Sequence, residues 1–130
     1  MRYIDLFAGA GGLSEGFIKA GFTPVAHVEM DRAACFTLKT RLAYHYLCET
    51  NQKGRYVDYL RGKISREKLY SLLPTGLHDS VINATIGEDT LRSIFAKVDA
   101  LAAEGPIDVL AGGPPCQAYS VVGRARGAHG

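Results

Sequence analysis

Tyr3-Ile4-Asp5-Leu6-Phe7-Ala8-Gly9-Ala10-Gly11-Gly12-Leu13 is the stretch that decides the fold. Its first five residues read as a short apolar strand, and the glycines after them as a tight turn. Leu13, Phe17 and Ala20 then recur at helical spacing up to Gly21, a residue suited to ending a helix. Working outward, Pro24 to Glu29 reads as a second strand. Asp31 is placed to cap a helix from Arg32 that carries Cys35, Leu38 and Leu42 on one face. Residues 49–63 are polar and basic, with Gly54 and Gly62 expected to break any helix there. Ser65 predicts the start of a short helix with Leu69, Leu72 and Leu73, limited by Pro74. A third strand is expected over Val81–Ala84. A longer helix is expected to open at Asp89 or Thr90, carry Leu91, Ile94, Val98 and Leu101, and end at Gly105. Ile107–Ala111 reads as a fourth strand. Short, nearly continuous apolar strands alternating with helices predict an α/β domain, a mostly parallel sheet with helices on both faces.

Composition limits the rest. A chain of 130 residues, 47% hydrophobic and 22% charged, is expected to form one folded domain over residues 1–130. A net charge of +2 neither identifies nor excludes a nucleic-acid partner. No apolar run is long enough to span a membrane, and the N-terminus lacks a signal-peptide pattern. Three cysteines without paired spacing argue against a disulfide framework and a structural zinc site, so a reduced, cytoplasmic protein without a metal is expected. Eleven of the 15 glycines fall in residues 9–21 and 105–130, which directs the search for function to those two stretches.

Both stretches follow a strand, so both are expected at the carboxyl edge of the sheet, where ligands bind in open α/β folds. Gly9, Gly11 and Gly12 allow close backbone approach to a ligand, but Ser14 stands where a dinucleotide fingerprint needs its third glycine. Glu29, at the end of the second strand, is placed to accept from a ribose diol. Together they suggest a nucleoside-containing cofactor, against the alternative of a turn that only packs a helix on a strand. In the second stretch, Pro114-Pro115 would hold Cys116 stiffly, near the cations Arg124 and Arg126. That setting suits a nucleophile, although a buried structural cysteine fits position alone equally well. Cys35 and Cys48 fit the structural role better.

Taken together, Asp5 to Leu13 with Gly16-Phe17 resembles the first motif of the cytosine-5 DNA methyltransferases, and Gly112-Gly113-Pro114-Pro115-Cys116-Gln117-Ala118-Tyr119-Ser120 resembles their Pro-Cys-Gln motif. The resemblance implies a Rossmann-like S-adenosylmethionine-dependent methyltransferase fold and methyl transfer to carbon 5 of cytosine in DNA. By position it implies a cofactor site formed by Phe7, Ala8, Gly9, Gly11, Gly12, Leu13, Glu29, Met30 and Pro115, with Glu29 on the ribose and Met30 on the adenine face. It implies Cys116 as the nucleophile, and Gln117, Ser120, Arg124 and Arg126 as contacts to DNA with its target base flipped out.

The sequence also departs from that family. The adenine-binding acid expected after the third strand has no clear counterpart in residues 83–89, where Asp89 reads better as a helix cap. Tyr44–Leu77 reads as an insertion, and its Arg61, Lys63, Arg66 and Lys68 read mainly as a solvated basic face that could touch phosphate. The later family motifs, including the Glu-Asn-Val carboxylate and the target-recognition region, do not occur before Gly130. The expectation is therefore an N-terminal portion, inactive alone, that self-associates or meets a complementing half through an exposed last strand. A tRNA cytosine-5 methyltransferase of the same family remains open, as does a non-enzymatic cofactor- or partner-binding piece.

Overall fold

The computed structural model describes residues 1–114. In chain order the elements are β1 (Arg2–Leu6), α1 (Gly12–Lys19), β2 (Thr23–Glu29), α2 (Arg32–Glu49), α3 (Lys53–Leu60), α4 (Arg66–Ser71), α5 (Thr75–Asp79), β3 (Val81–Asn83), α6 (Glu88–Leu101) and β4 (Val109–Gly112). The four strands form one parallel sheet in the order β3-β2-β1-β4. The chain steps outward from β1 to β3, then crosses back to place β4 on the other side of β1. That reversal makes the carboxyl ends of β1 and β4 a topological switch point, where a crevice opens.

Each face of the sheet has its own cover. Ile4, Ala26, Val28 and Ile82 pack against Ile94 and Val98 of α6. On the opposite face Ala8 and Val81 pack with Cys35, Leu38 and Leu42 of α2, the three residues read from the sequence as its inner face. The register of β1 against β2 shifts between Tyr3 and Ile4, so that Tyr3 pairs with Pro24 but Ile4 with Ala26. β4 is an edge strand among the described residues, and its Leu110 is 67% exposed.

Local signals place several boundaries. Gly21 takes φ +87°, and the Gly21 and Phe22 N–H groups return to the Ile18 and Phe17 carbonyls, a Schellman close to α1. The Asp31 carboxylate accepts from Ala33 N–H at 3.0 Å, and Ser65 Oγ accepts from Lys68 N–H at 3.1 Å, so both expected caps are present.

Five points of the sequence reading need correction. Gly54 does not break the polar stretch but lies inside α3, because Tyr56 and Tyr59 of that helix pack onto the cluster of Ala43, Leu47, Leu69 and Leu73. Packing there outweighs the roughly 1 kcal/mol helix penalty of a glycine. The short α5 between Pro74 and β3 has no counterpart in the sequence reading. Asp89 does not cap α6: Gly87 is the cap, and Thr90 reaches back with its hydroxyl to accept from Gly87 N–H at 3.1 Å. α6 ends at Leu101, before Gly105, and β4 begins at Val109 after Asp108 has exchanged hydrogen bonds with Arg2.

A polar cluster is buried under the first turn. The Tyr3 hydroxyl is hydrogen-bonded to the Ser14 hydroxyl, which lies 2.7 Å from His27 Nε2. Tyr3 also stacks on Phe17 at 4.8 Å between centroids. Asp5, paired with His27 across β1 and β2, is 1% exposed and neither carboxyl oxygen has a hydrogen-bond partner among the described residues. Burial pushes the Asp5 carboxyl up to about 6 and pushes His27 down to about 4. The two groups act on stability in opposite directions. Between about pH 4 and 6 folding favours protonated Asp5, so its contribution is lost as pH rises. Over about pH 4–6.5 folding favours neutral His27, so that contribution is lost as pH falls. Asp5→Asn removes only the first. Relative to the parent, this variant is expected to gain about 2–3 kcal/mol in urea melts as pH rises from 4 to 6.5. A difference that stays constant with pH would show that Asp5 does not titrate in the fold.

Candidate functional site

The turn after β1 is shaped by two residues in the left-handed region that matter most. Phe7, a non-glycine, has φ +54°, a conformation that costs energy and here aims the chain across the end of the sheet. Gly11 has φ +93°, and a Cβ built on it would come within 2.9 Å of Leu38 Cδ2 and 3.2 Å of Arg41 Cδ, so a side chain has neither the angle nor the room. Gly11 is the N-cap of α1, and no side chain caps that helix. The backbone N–H groups of Gly12 and Leu13 thus begin a helix at the carboxyl edge without intrahelical partners, a setting that favours an anionic ligand group.

Glu29 is held at the end of β2 by five donors. Its carboxylate accepts from Gly9 N–H at 3.1 Å and Asp31 N–H at 2.7 Å. Its carbonyl accepts from Ala84 N–H at 3.1 Å, Asn83 Nδ2 at 3.1 Å and the Cys35 thiol at 3.3 Å. Each carboxylate oxygen keeps a further lone pair for a ligand hydroxyl. Burial pushes the Cys35 thiol pKa up, in keeping with a packed, unreactive cysteine.

Beside Glu29 lies a cavity of about 340 Å³ at the ends of β1, β2, β3 and β4. Phe7, Val28, Met30 and Ile86 give it apolar walls, Thr85 a hydroxyl, and Gly113 closes the β4 side. Met30 is 67% exposed at its rim. Of the residues expected at the cofactor, Phe7, Glu29 and Met30 come together here. Gly9 is joined to them through Glu29. Gly11, Gly12 and Leu13 lie at the start of α1, with the Leu13 side chain half exposed. Ala8 turns its methyl into the core, and its N–H and carbonyl are taken by Val28 and Gly11. Pro115, Cys116, Gln117, Ser120, Arg124 and Arg126 lie outside the described residues.

Sequence reasoning missed Val28, Ala84, Thr85, Ile86 and Gly113 as cavity residues, although the rule that strand ends line the site would have found the last four. It also gave Ser14 no role beyond the missing third glycine. That residue is 3% exposed and replaces the third glycine with a polar anchor between Tyr3 and His27. No acid of residues 83–89 lines the cavity; Asn83 instead ties β3 to the Glu29 and Met30 carbonyls, and Glu88 and Asp89 are exposed in the first turn of α6.

An apolar-walled cavity, a braced carboxylate beside it and helix N–H groups at the same sheet edge could together hold a nucleoside that also carries a carboxylate. The strand order and this edge site define a Rossmann-like α/β domain. Residues 1–55 match the family model of the C-5 cytosine-specific DNA methylases, so over these residues the chain is similar to that family. Over 97% of its length it is 39% identical to the type II methyltransferase M.Bpa9945I of Bacillus paralicheniformis, covering 33% of that protein. It is 35% identical to the type II methyltransferase M.XorII of Xanthomonas oryzae pv. oryzae, with 93% of this chain and 20% of the relative covered. It is 30% identical to the type II methyltransferase M.AquIA of a Picosynechococcus strain, with 97% and 36% covered. The chain thus spans about a third or less of the length of these relatives. No solved structure matches it. No helix among the described residues is long and apolar enough to cross a membrane.

Proposed function

We propose that this chain is the cofactor-binding and nucleophile-bearing part of a DNA cytosine-5 methyltransferase that takes its methyl group from S-adenosylmethionine. The observation that carries the reading is the meeting of Phe7, Glu29 and Gly113 around one cavity, with Gly9 of the first glycine turn bonded to Glu29. Cys116 follows Gly113 by three residues, and three residues of chain span at most about 11 Å. The stretch that resembles the Pro-Cys-Gln motif therefore starts beside a cavity that Phe7, of the stretch resembling the first motif, also lines.

The residues then take the following roles. Glu29 accepts from the ribose hydroxyls, Met30 and Ile86 enclose the adenine, and the Gly12 and Leu13 N–H groups face the amino-acid carboxylate. The bound cofactor supplies an electrophilic methyl group. The Cys116 thiolate adds to carbon 6 of a flipped-out cytosine, which places carbanion character on carbon 5 for the methyl group to meet. Loss of the carbon 5 proton and expulsion of the thiolate restore the ring. Gln117, Ser120, Arg124 and Arg126 face the DNA. Tyr44–Leu77 is an insertion into the domain. The rest of the enzyme, supplied by further chain or by a partner, docks on the β4 edge, and DNA as substrate sets the work in the cytoplasm.

Titration of S-adenosylhomocysteine into the 130-residue chain tests the reading by calorimetry. One saturable site is expected. A chain that is folded by circular dichroism yet takes up no ligand would overturn it.

A further inference from the structure

Charge is not spread evenly along this chain. Residues 32–73, which form α2, α3 and α4, contain nine Lys or Arg and three Asp or Glu, a net +6. The chain as a whole is +2, so all other residues together sum to −4. The helical lobe is therefore strongly positive and the sheet with α6 is not. Among the described residues, Arg41 is the one cation of the nine with a carboxylate within 4 Å, Glu15 at 3.3 Å.

Three of the others converge on one ring. The Arg66 guanidinium lies 3.9 Å from the Phe36 centroid, Arg32 lies 5.5 Å from it and Lys39 5.7 Å. The ring's π face offsets part of the repulsion among three like charges, but no described carboxylate neutralises them. Such a cluster holds an unmet demand for anions. Phe36 lines one end of a groove of about 640 Å³ between α2 and the α3–α4 pair. The same ring is one helical turn, about 6 Å, past the start of α2. Only the capping residue Asp31 separates that start from Met30 at the proposed cofactor cavity, so the cations sit beside the edge where the chemistry is proposed. The tyrosines along the groove pack on one another in tilted pairs, Tyr44 with Tyr56 at 5.0 Å and Tyr56 with Tyr59 at 6.1 Å between centroids. These rings are thus partly engaged within the lobe, whereas the cations around Phe36 have no carboxylate within 4 Å, which favours contact with a phosphate backbone over stacking on exposed bases.

We infer that the cationic face of α2–α4, centred on Arg32, Lys39 and Arg66, holds the phosphate backbone of duplex DNA flanking the site of methylation. This rests on the proposed function, for which it supplies a contact independent of base sequence. The test is fluorescence anisotropy of a 30-base-pair duplex made only of A·T pairs, which contains no cytosine, with the full chain at several salt concentrations. The parent is expected to bind with an affinity that falls steeply with salt. Arg32→Gln/Lys39→Gln/Arg66→Gln is expected to bind at least tenfold more weakly at low salt, with a log–log salt slope shallower by about 2–3. Calorimetry with S-adenosylhomocysteine on the same samples separates the two ideas. Retained cofactor binding with an unchanged duplex slope overturns the lobe and spares the cofactor site. A shallower slope in a chain that binds no cofactor does the reverse. A slope change seen with single-stranded but not duplex DNA also overturns the inference.

Discussion

Glu29→Ala is expected to weaken S-adenosylhomocysteine binding by about 10–100-fold and to destabilise the fold at the same time. The first effect follows from loss of a charged acceptor, about 1.5–3 kcal/mol. The second follows from the hydrogen bonds that the same carboxylate already makes. It accepts from Gly9 and Asp31 N–H groups, one in the turn after β1 and one at the cap of α2. Without it both N–H groups are released to solvent, and the turn loses the brace that ties it to β2. Because these groups are partly exposed, water recovers some of the loss, and about 1–3 kcal/mol of stability is the expected cost. Glu29→Gln separates the effects. Its remaining carbonyl oxygen can still hold one of the two N–H groups, while the amide donates where the diol also donates. The glutamine variant should therefore keep more of the stability than of the affinity. Urea melts and calorimetry on parent, Gln and Ala variants check this. An affinity unchanged in both variants would leave Glu29 as a brace for the turn and remove it from the ribose.

The hydrogen bonds of Glu29 also mark the limit of what the sequence discloses. Its position at the end of a strand is legible, because strand, turn and helix follow from neighbouring residues and from periodicities that each segment carries alone. Asp31 and Ser65 as caps, Gly21 as a helix end and the inner face of α2 were legible for the same reason. What the free lone pairs of a carboxylate already hold depends on residues 20 positions away, as with Gly9, and no local pattern reports it. Ser14 makes the same point from the other side. Against a fingerprint it reads as a missing glycine; in three dimensions it joins Tyr3 and His27, and its place in the polar cluster depends on the pairing of β1 with β2. Gly54 misled because helix propensity is a weak prior once tyrosines find a partner surface. The basic run of residues 61–68 read mainly as a solvated face because Arg32 and Lys39, which join Arg66 around Phe36, lie about 30 residues earlier in the chain.

Cys116→Ser, in a protein that carries this chain with the remaining portion of its relatives' length, is expected to lower methyl transfer to a cytosine-containing duplex by at least about a thousandfold. The argument rests on what the proposed step demands of one atom. Carbon 5 of cytosine is too weak a nucleophile to meet a methyl sulfonium unaided, so a group must first add to carbon 6 and later leave. A thiol ionises close enough to neutral pH to attack as the anion, and the thiolate is a good leaving group. A serine hydroxyl stays protonated under the same conditions, and as an alkoxide it would leave poorly. Cofactor binding should be retained, since the cavity residues Phe7, Glu29, Met30 and Ile86 are untouched. The substitution thus predicts a split: kcat collapses, while calorimetry with S-adenosylhomocysteine matches the parent. A second readout is the covalent protein–DNA species, expected by mass spectrometry for the parent stalled during turnover and absent for the serine variant. Comparable turnover in the variant would remove Cys116 from the reaction. Loss of turnover together with loss of cofactor binding would make it a structural residue of the cavity wall.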